Sequence, residues 1–358
     1  MKKIFIWVMT FALAFALSAC GSPEEEQPEE QIDYEIALVT DEGLLMDGGY
    51  NQTAWETISE FGADNGISHK YYKASESTAD ACKETIEIAI SKGAKVIIAD
   101  GYSFEEAMLE KQAEHPDVKF IMIDADIDPD DAGKVNIEKN AVSIEFASEQ
   151  AGYLAGYGAV VNGYTQLGFM GSDQGDMVTD YGYGFLQGAE RAASEQNAAV
   201  NVKYHCCAAG EDRNTISEMA SGWYVGGTEV IFACGTNAEL PVIEAAEMTD
   251  KKVIASETDK KELSDTIITS ATKSMASGIE IVLEQYQDDE FPGGKVIDYD
   301  ASNEGIGLVL DSERLGNLQK FEYAAIVNEM GSGEVLVMNH TAGSIGALSL
   351  ASTVVSQQ

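Results

Sequence analysis

The run Lys-Val-Ile-Ile-Ala-Asp at residues 95–100 is continuously apolar until it ends on a carboxylate. Upstream of it, apolar residues between 82 and 90 recur at intervals of three or four, and Gly93 closes that segment. Downstream, residues 104–114 have the composition of another helix. A short apolar strand between two helices is typical of a parallel sheet that is covered on both faces. This stretch therefore predicts an α/β fold.

The same alternation of strand and helix extends in both directions and forms two series. The first series has strands at 35–40, 68–73, 95–99 and 118–123, separated by helices. After a predicted helix at 143–161, a second series has strands at 166–170, 200–207, 229–234, 252–256 and 266–270. A further helix is expected at 274–288, and the tail is expected to hold a strand at 305–310, a helix at 320–330 and a strand at 334–338. Two series in one chain indicate two lobes, each a mostly parallel sheet flanked by helices.

Many of the predicted strands end in a polar residue or a glycine turn. These ends are Asp41, Asp100-Gly101, Asp124, Gly171, Gly235 and Glu257. In open α/β sheets, ligands bind beyond the carboxyl ends of the strands. Asp and Gly are also ordinary turn formers, so one such residue says little by itself. Taken as a set, they favour a ligand site at this edge of the sheets.

The first residues indicate export. Lys2 and Lys3 precede an almost wholly apolar stretch from Ile4 to Leu17, which is typical of a secretory signal peptide. That stretch ends in Leu17-Ser18-Ala19-Cys20, which resembles the lipobox of bacterial lipoproteins, and we expect Cys20 to be lipidated. The alternative is an ordinary signal peptide with an incidental cysteine. Residues 21–33 are acidic, contain two prolines and predict a solvated tether.

The charge balance excludes several classes of partner. The 358 residues include 61 Asp and Glu against 22 Lys and Arg, a formal net charge of −39. Such a surface repels nucleic acids and anionic lipid headgroups. A partner is therefore expected to be a small molecule or another protein, and contact with the membrane is expected through the lipid anchor only.

The sequence lacks the motifs of common catalytic and metal sites. Neither a nucleophile elbow, a P-loop nor a zinc-protease motif occurs. The four histidines are scattered, and Cys82, Cys206, Cys207 and Cys234 lack CxxC spacing. We therefore predict no metal and no cofactor. For Cys206, Cys207 and Cys234, which fall in predicted strands, we expect core packing, with redox chemistry as the alternative.

One stretch resembles a known family. Residues 40–43 read Thr-Asp-Glu-Gly and residues 47–56 read Asp-Gly-Gly-Tyr-Asn-Gln-Thr-Ala-Trp-Glu. They resemble the start of the basic-membrane-protein family, the PnrA-like purine-nucleoside receptor lipoproteins of bacterial ABC importers. Further blocks follow in the family's order at 100–102, 120–124, 146–156, 167–171, 184–189 and 268–273.

The resemblance implies a two-lobed type I periplasmic-binding fold, joined by hinge crossovers and without enzymatic activity. Its lobes would be residues 34–142 plus 271–292 and residues 143–270 plus 293–340, followed by a tail at 341–358. Matched by position, Tyr50 and Tyr181 would stack on a purine base, and Asn51 and Asp124 would hydrogen-bond its edge. Asp41, Glu257, Lys273 and the backbone of Gly235 would meet the ribose.

The chain departs from the family pattern at the implied site itself. Both stacking positions are Tyr where the family has Phe, and Glu257 replaces an Asp. The glycine-rich turn of the family is Ala233-Cys234-Gly235-Thr236-Asn237 here. These changes bear on the choice of ligand more than on the fold.

The resulting hypothesis is a lipid-anchored receptor on the extracytoplasmic face of the cell membrane. It would bind a purine nucleoside or a related small ligand between its lobes and serve the permease subunits of an ABC importer. Two alternatives remain: a surface sensor lipoprotein for nucleosides or sugars without a transport role, and a nucleoside hydrolase-type enzyme.

Overall fold

The structure, a computed structural model, describes residues 34–41, 43–46, 48–125, 127, 136–172, 175–208, 211–311 and 313–358. The predicted signal peptide, Cys20 and the tether lie outside the described residues. Asp33–Gln358 forms one compact unit. None of the helices in the described ranges is both long and apolar enough to cross a bilayer.

The first lobe is built on a six-stranded parallel sheet in the order β11-β5-β4-β3-β1-β2. Alternate residues of one strand point to opposite faces, so Ile36 and Leu38 enter one core while Ala37 and Val39 enter the other. Its strands are β1 (Ile36–Thr40), β2 (His69–Lys73), β3 (Val96–Asp100), β4 (Lys119–Ile123), β5 (Ala141–Phe146) and β11 (Lys295–Tyr299). Its helices are α1 (Tyr50–Asn65), α2 (Ala79–Ser91), α3 (Gly101–Glu114) and α8 (Met275–Gln287).

The second lobe is built on a seven-stranded sheet in the order β12-β10-β9-β8-β6-β7-β13. Only the pairing of β10 with β12 is antiparallel among the described strands of this sheet. Its strands are β6 (Gln166–Gly171), β7 (Val200–Cys206), β8 (Val230–Cys234), β9 (Lys252–Glu257), β10 (Ile267–Lys273), β12 (Ile306–Leu308) and β13 (Thr353–Gln357). Its helices are α4 (Ser148–Val161), α5 (Asp176–Gln196), α6 (Arg213–Val225), α7 (Thr236–Thr249) and α9 (Lys320–Gly331).

Glycines allow α4 and α5 to pack backbone against backbone. A Cβ at Gly152 or Gly156 of α4 would lie 2.1 Å from Tyr181 O and 2.0 Å from Phe185 O. A Cβ at Gly184 of α5 would lie 1.8 Å from Glu149 O. The G-x-x-x-G spacings at residues 152–156 of α4 and 184–188 of α5 thus allow the two helices to pack closely. Gly152 lies against the backbone of Tyr181 on α5.

The observed lobe boundaries differ from the predicted ones in three places. Residues 271–273 were expected in the first lobe, but they complete β10 and pair with β9 and β12 in the second sheet. Residues 295–299 were expected in the second lobe, but they pair with β5 in the first sheet. Residues 143–146 were expected to begin a helix, but they complete β5, and α4 begins only at Ser148. The side chains of β5 are buried almost throughout, as in a central parallel strand covered on both faces. The chain therefore crosses between the sheets after β5, after β10 and after β11.

The tail also differs from the prediction. Residues 334–338 form no strand, although their apolar composition suggested one. Residues 353–357, expected in a tail of undefined structure, form β13 and pair in parallel with β7. This pairing covers what would otherwise be an exposed edge of the second sheet.

Candidate functional site

The candidate site lies where the strand ends of the two lobes face each other. Asp124 follows β4 of the first lobe, and Lys273 ends β10 of the second. Lys273 Nζ donates a hydrogen bond to Asp124 Oδ2 at 2.8 Å. The sequence placed both residues in one ligand site, and the structure brings them into direct contact across the two lobes.

Lys273 is the buried cation of this site. Its side chain is fully buried, and its ammonium lies 5.2 Å from the ring centre of Tyr181 and 5.9 Å from that of Phe146. Burial by itself would lower the pKa of Lys273, but the carboxylates of Asp124 and Glu257 outweigh it and raise the pKa above its usual value. The ammonium is therefore charged at neutral pH.

Asp124 is held on both carboxylate oxygens. Oδ1 accepts a hydrogen bond from the backbone N–H of Phe146 at 3.2 Å, while Oδ2 accepts from Lys273. The residue has a φ of 51°, in the left-handed region that non-glycine residues seldom adopt. Its neighbours thus fix both its backbone and its side chain.

Glu257 is the second carboxylate near Lys273. Burial raises the pKa of Glu257, while Lys260 and Lys273 act to lower it, and the net direction is upward. Its φ is 67°, and Gly235, at the end of the neighbouring β8, has a φ of 83°. Residues held in such sparsely populated conformations cluster at functional sites.

A buried ion pair that the sequence analysis missed supports these strand ends. Glu239 of α7 pairs with Lys260, and both side chains are 5% exposed. The Glu239 Oε1 atom also accepts hydrogen bonds from the N–H and the hydroxyl of Ser256, at 2.7 and 2.8 Å. The hydroxyl of Ser256 in turn lies 3.4 Å from the Gly235 N–H. The only feature of the sequence that could have indicated this ion pair is the acidic residue Glu239 in the first turn of the helix after Gly235.

The Gly235 amide was expected to meet the ligand, and it already has a partner in Ser256. A Cβ at Gly235 would lie 2.1 Å from the Ser172 hydroxyl oxygen. Together with its positive φ, this close approach requires glycine here. The ligand contact expected of its backbone stays a prediction.

Across the cleft, the loop before α1 and the first turn of that helix carry the remaining predicted residues. Asp41 Oδ1 accepts a hydrogen bond from the Gly43 N–H at 2.8 Å, and the Asn51 side chain donates to the Leu44 carbonyl at 3.3 Å. Asn51 is buried in the first turn of α1, and Tyr50, which begins that helix, is half-buried. The Thr258 hydroxyl donates to the Gly48 carbonyl at 2.8 Å, so this loop contacts the second lobe just beyond Glu257.

The ring of Tyr181 packs inside the second lobe, whereas the family resemblance implied that it stacks on a ligand base. Its side chain is fully buried, and its ring meets Phe232 edge-on at 5.7 Å while Lys273 lies over it. Its buried hydroxyl makes no hydrogen bond of normal geometry within the described ranges, although it lies close to the backbone of Glu257. Burial raises the pKa of Tyr181 well above its usual value. Stacking of this ring on a ligand stays a prediction.

Phe146 is an aromatic residue of the site that the sequence analysis did not single out. It ends β5, packs against Tyr299 of β11 with ring centres 5.4 Å apart, and contacts Lys273. Phe146 reaches the site because it ends strand β5. The sequence analysis expected a helix over these residues and therefore did not place Phe146 at a strand end.

Two parallel-sheet lobes, three crossovers and charged strand ends that meet between the lobes define a type I solute-binding protein. The chain matches the family model of the ABC transporter substrate-binding proteins of PnrA-like type (Bmp) over residues 35–337. It belongs to that family, whose members bind substrates for transporters, and the predicted family and fold class are confirmed.

Relatives and solved structures agree with this assignment. The "ABC transporter nucleoside-binding protein BmpA" of Lactococcus lactis subsp. cremoris is 26% identical, over 87% of this chain and 93% of its own. The "CD4+ T-cell-stimulating antigen" of Listeria monocytogenes is 30% identical, over 87% and 92%. An ABC transporter solute-binding protein from Conexibacter woesei has the same fold, with a TM-score of 0.67 and 21% identity over 85% of this chain and 99% of its own.

Proposed function

We propose that this chain is a lipid-anchored receptor that binds a purine nucleoside between its lobes and serves an ABC permease. The observation that carries the proposal is the buried Lys273–Asp124 pair, which joins the two lobes beside Glu257 and Tyr181. A ligand bound between the lobes at these strand ends would lie beside these groups.

The charges of the site suit a polar but neutral ligand. Asp124 and Glu257 offer carboxylate oxygens that accept hydrogen bonds from hydroxyl groups, and Lys273 donates to a hydroxyl or ring nitrogen. Each hydrogen bond to a charged group contributes about 1.5–3 kcal/mol. A ribose supplies such hydroxyls without the phosphate charges that a chain of net charge −39 would repel.

The aromatic and amide groups suit a flat heterocycle. Tyr181 and Phe146 contact Lys273 at the end of β10, and Tyr50 and Asn51 lie in the first turn of α1. Stacking of a base on an aromatic ring contributes about 1–3 kcal/mol. The Lactococcus lactis relative carries nucleoside binding in its name, which favours the same ligand class here.

Calorimetry on the chain from residue 21 onwards, which contains the whole compact unit, tests the ligand. Inosine, guanosine and adenosine are titrated beside ribose, free bases and a dipeptide. We expect at least one nucleoside to bind with a Kd in the micromolar range or below. If none binds more tightly than about 1 mM while a sugar or peptide does, the ligand is a different one. Release of free base during incubation would instead point to the hydrolase alternative.

The anchor needs its own test, because it depends on residues 17–20 alone. In bacteria fed a labelled fatty acid, we expect label in the native protein and none in the Cys20→Ala variant. The variant should be released from the membrane fraction. Absence of label from the native protein would contradict the lipid anchor.

A further inference from the structure

His205, Cys207 and Glu211 converge at the end of β7. The imidazole nitrogen, the thiol sulfur and a carboxylate oxygen all lie within 4.8 Å of one another. His205 and Glu211 are largely buried, with 13% and 15% of their side chains exposed, and Cys207 is 1% exposed. In the second sheet, β7 is separated from β10 and Lys273 by three strands. The cluster is thus distinct from the site between the lobes.

The imidazole of His205 is oriented as a metal ligand would be. Nδ1 lies 3.1 Å from the backbone oxygen of Gln358, which can only accept, so Nδ1 carries the hydrogen. In the neutral ring, Nε2 would then direct its lone pair at the Glu211 carboxylate, whose two oxygens lie 3.2 and 3.3 Å away. Two acceptors that face each other require a cation or an added proton between them. Metal-binding histidines are held in this way by a carbonyl behind the ring.

The other two ligands are also held in place. Glu211 Oε2 accepts a hydrogen bond from the Ala208 N–H at 2.9 Å, and the Cys207 N–H donates to the Gly171 carbonyl at 2.9 Å. One nitrogen, one sulfur and one oxygen ligand form a set that zinc accepts. Two ligands at about 2.0–2.1 Å from a tetrahedral zinc lie about 3.3 Å apart, which matches the spacing of Nε2 and the carboxylate.

A cavity provides access to the cluster. His205 lines a cavity of about 700 Å³ together with Tyr204, Cys206, Asp176 and His340. Of the three residues in the cluster, His205 lines this cavity, so an ion can reach the imidazole from it. The sequence did not indicate the site, because His-x-Cys-x-x-x-Glu is no recognised metal motif and its ligands converge only at the end of β7.

We propose that His205, Cys207 and Glu211 bind a divalent transition-metal ion of the zinc class. A second cluster in the first lobe makes a useful contrast. Glu87, Glu114 and His115 also lie close together, but the Lys111 ammonium sits 2.8 Å from Glu87 and 2.6 Å from Glu114. There a lysine already supplies the positive charge, and around His205 the described contacts include no such lysine.

Titration of the untagged chain from residue 21 onwards with Zn²⁺ alone, followed by calorimetry, tests the site. We expect one ion per chain with a Kd of about 10 μM or tighter. Co²⁺ should give a sulfur-to-metal charge-transfer band in the near ultraviolet. This band is measured on the wild-type protein, so the test does not depend on whether a variant folds.

Three variants and two controls assign the ligands. Cys207→Ser should abolish the Co²⁺ charge-transfer band, and His205→Gln and Glu211→Gln should each weaken Zn²⁺ binding at least tenfold. Cys206→Ser, at the neighbouring cysteine, and His115→Gln, in the contrasting cluster, should bind as the wild type does. Melting temperatures without metal show that each variant is folded. Absence of saturable binding below about 100 μM in the wild type, or equal binding by all five variants, overturns the proposal. In that case His205 and Glu211 form an ordinary ion pair.

Discussion

The ammonium of Lys273 and the carboxylate of Asp124 form a buried hydrogen-bonded ion pair, 2.8 Å long, between two different sheets. One partner ends a strand of the second lobe, and the other follows a strand of the first. The pair therefore joins the two lobes at the candidate site. Any change in either residue should affect ligand binding and lobe contact together.

Lys273→Ala should weaken nucleoside binding tenfold or more. The variant removes a charged hydrogen-bond donor and leaves Asp124 and Glu257 without their shared cation. Calorimetry with the preferred nucleoside measures the effect, with Lys92→Ala as control because that lysine is exposed. Equal losses in both variants, or no loss in Lys273→Ala, would contradict the role of Lys273.

Asn51→Ala should also weaken nucleoside binding tenfold or more, because an amide can donate to and accept from a purine edge at once. The matched control is Asn65→Ala, at the other end of the same helix, where the side chain bonds only to the Phe61 carbonyl in the described structure. Titrations of the two variants are compared directly. Should Asn51→Ala bind as tightly as Asn65→Ala does, Asn51 is a loop-fixing residue through its bond to Leu44.

Glu239→Gln should destabilise the protein by about 3–5 kcal/mol, because it leaves the buried Lys260 without its partner. Denaturant unfolding measures this change. The double variant Glu239→Gln with Lys260→Met removes the uncompensated charge and should regain part of the loss. If the double variant is no more stable than the single one, the ion pair is not the source of the effect.

The free energy of unfolding should fall as the pH rises from about 4.5 to 7, because Glu149 keeps its proton in the folded protein over this range and loses it in the unfolded chain. Burial, helped by the nearby Asp180, raises the pKa of Glu149 to about 7. The folded state therefore binds this proton more tightly than the unfolded state, so the contribution is complete below the unfolded pKa and is lost as the pH approaches 7. The loss from this group is up to about 3 kcal/mol.

Glu149→Gln provides the control for that prediction. It removes the titrating group and should flatten the profile of unfolding free energy between pH 5 and pH 8. At pH 8 the variant should be more stable than the wild type, whereas at pH 5 the two should be close. An unchanged slope in the variant would assign the dependence to other groups, such as Asp180, whose pKa is also raised by burial.

Gly184→Ala should destabilise the protein by more than about 2 kcal/mol, because its Cβ would lie 1.8 Å from the carbonyl oxygen of Glu149. Gly222→Ala is the matched control, since it lies within α6 and its Cβ would meet no atom within 4 Å. That control should be neutral or stabilising by about 0.5–1 kcal/mol. Denaturant unfolding separates the two, and similar free energies would argue against close packing of α4 on α5.

Most elements and the ends of their strands could be predicted because they are local. Residues 96–99 are apolar throughout and bounded by turn signals, and they lie in β3 as expected. Where the signal was ambiguous, prediction failed: residues 143–146 were predicted to begin a helix, because the apolar residues of β5 continue directly into those of α4. The lobe of β11 could not be predicted either, because pairing with β5 is a contact about 150 residues away in the chain.

By itself, the sequence determined the α/β class, the two lobes, the family and the polar strand ends, since each depends on short-range patterns or on ordered motifs. Only the tertiary structure decided which charges meet. The Lys273–Asp124 pair, the Glu239–Lys260 pair and the convergence of His205, Cys207 and Glu211 all depend on which strands lie side by side. Charged groups interact over a few ångströms of space. Their partners are therefore set by how the sheets are assembled, and spacing along the chain does not reveal them.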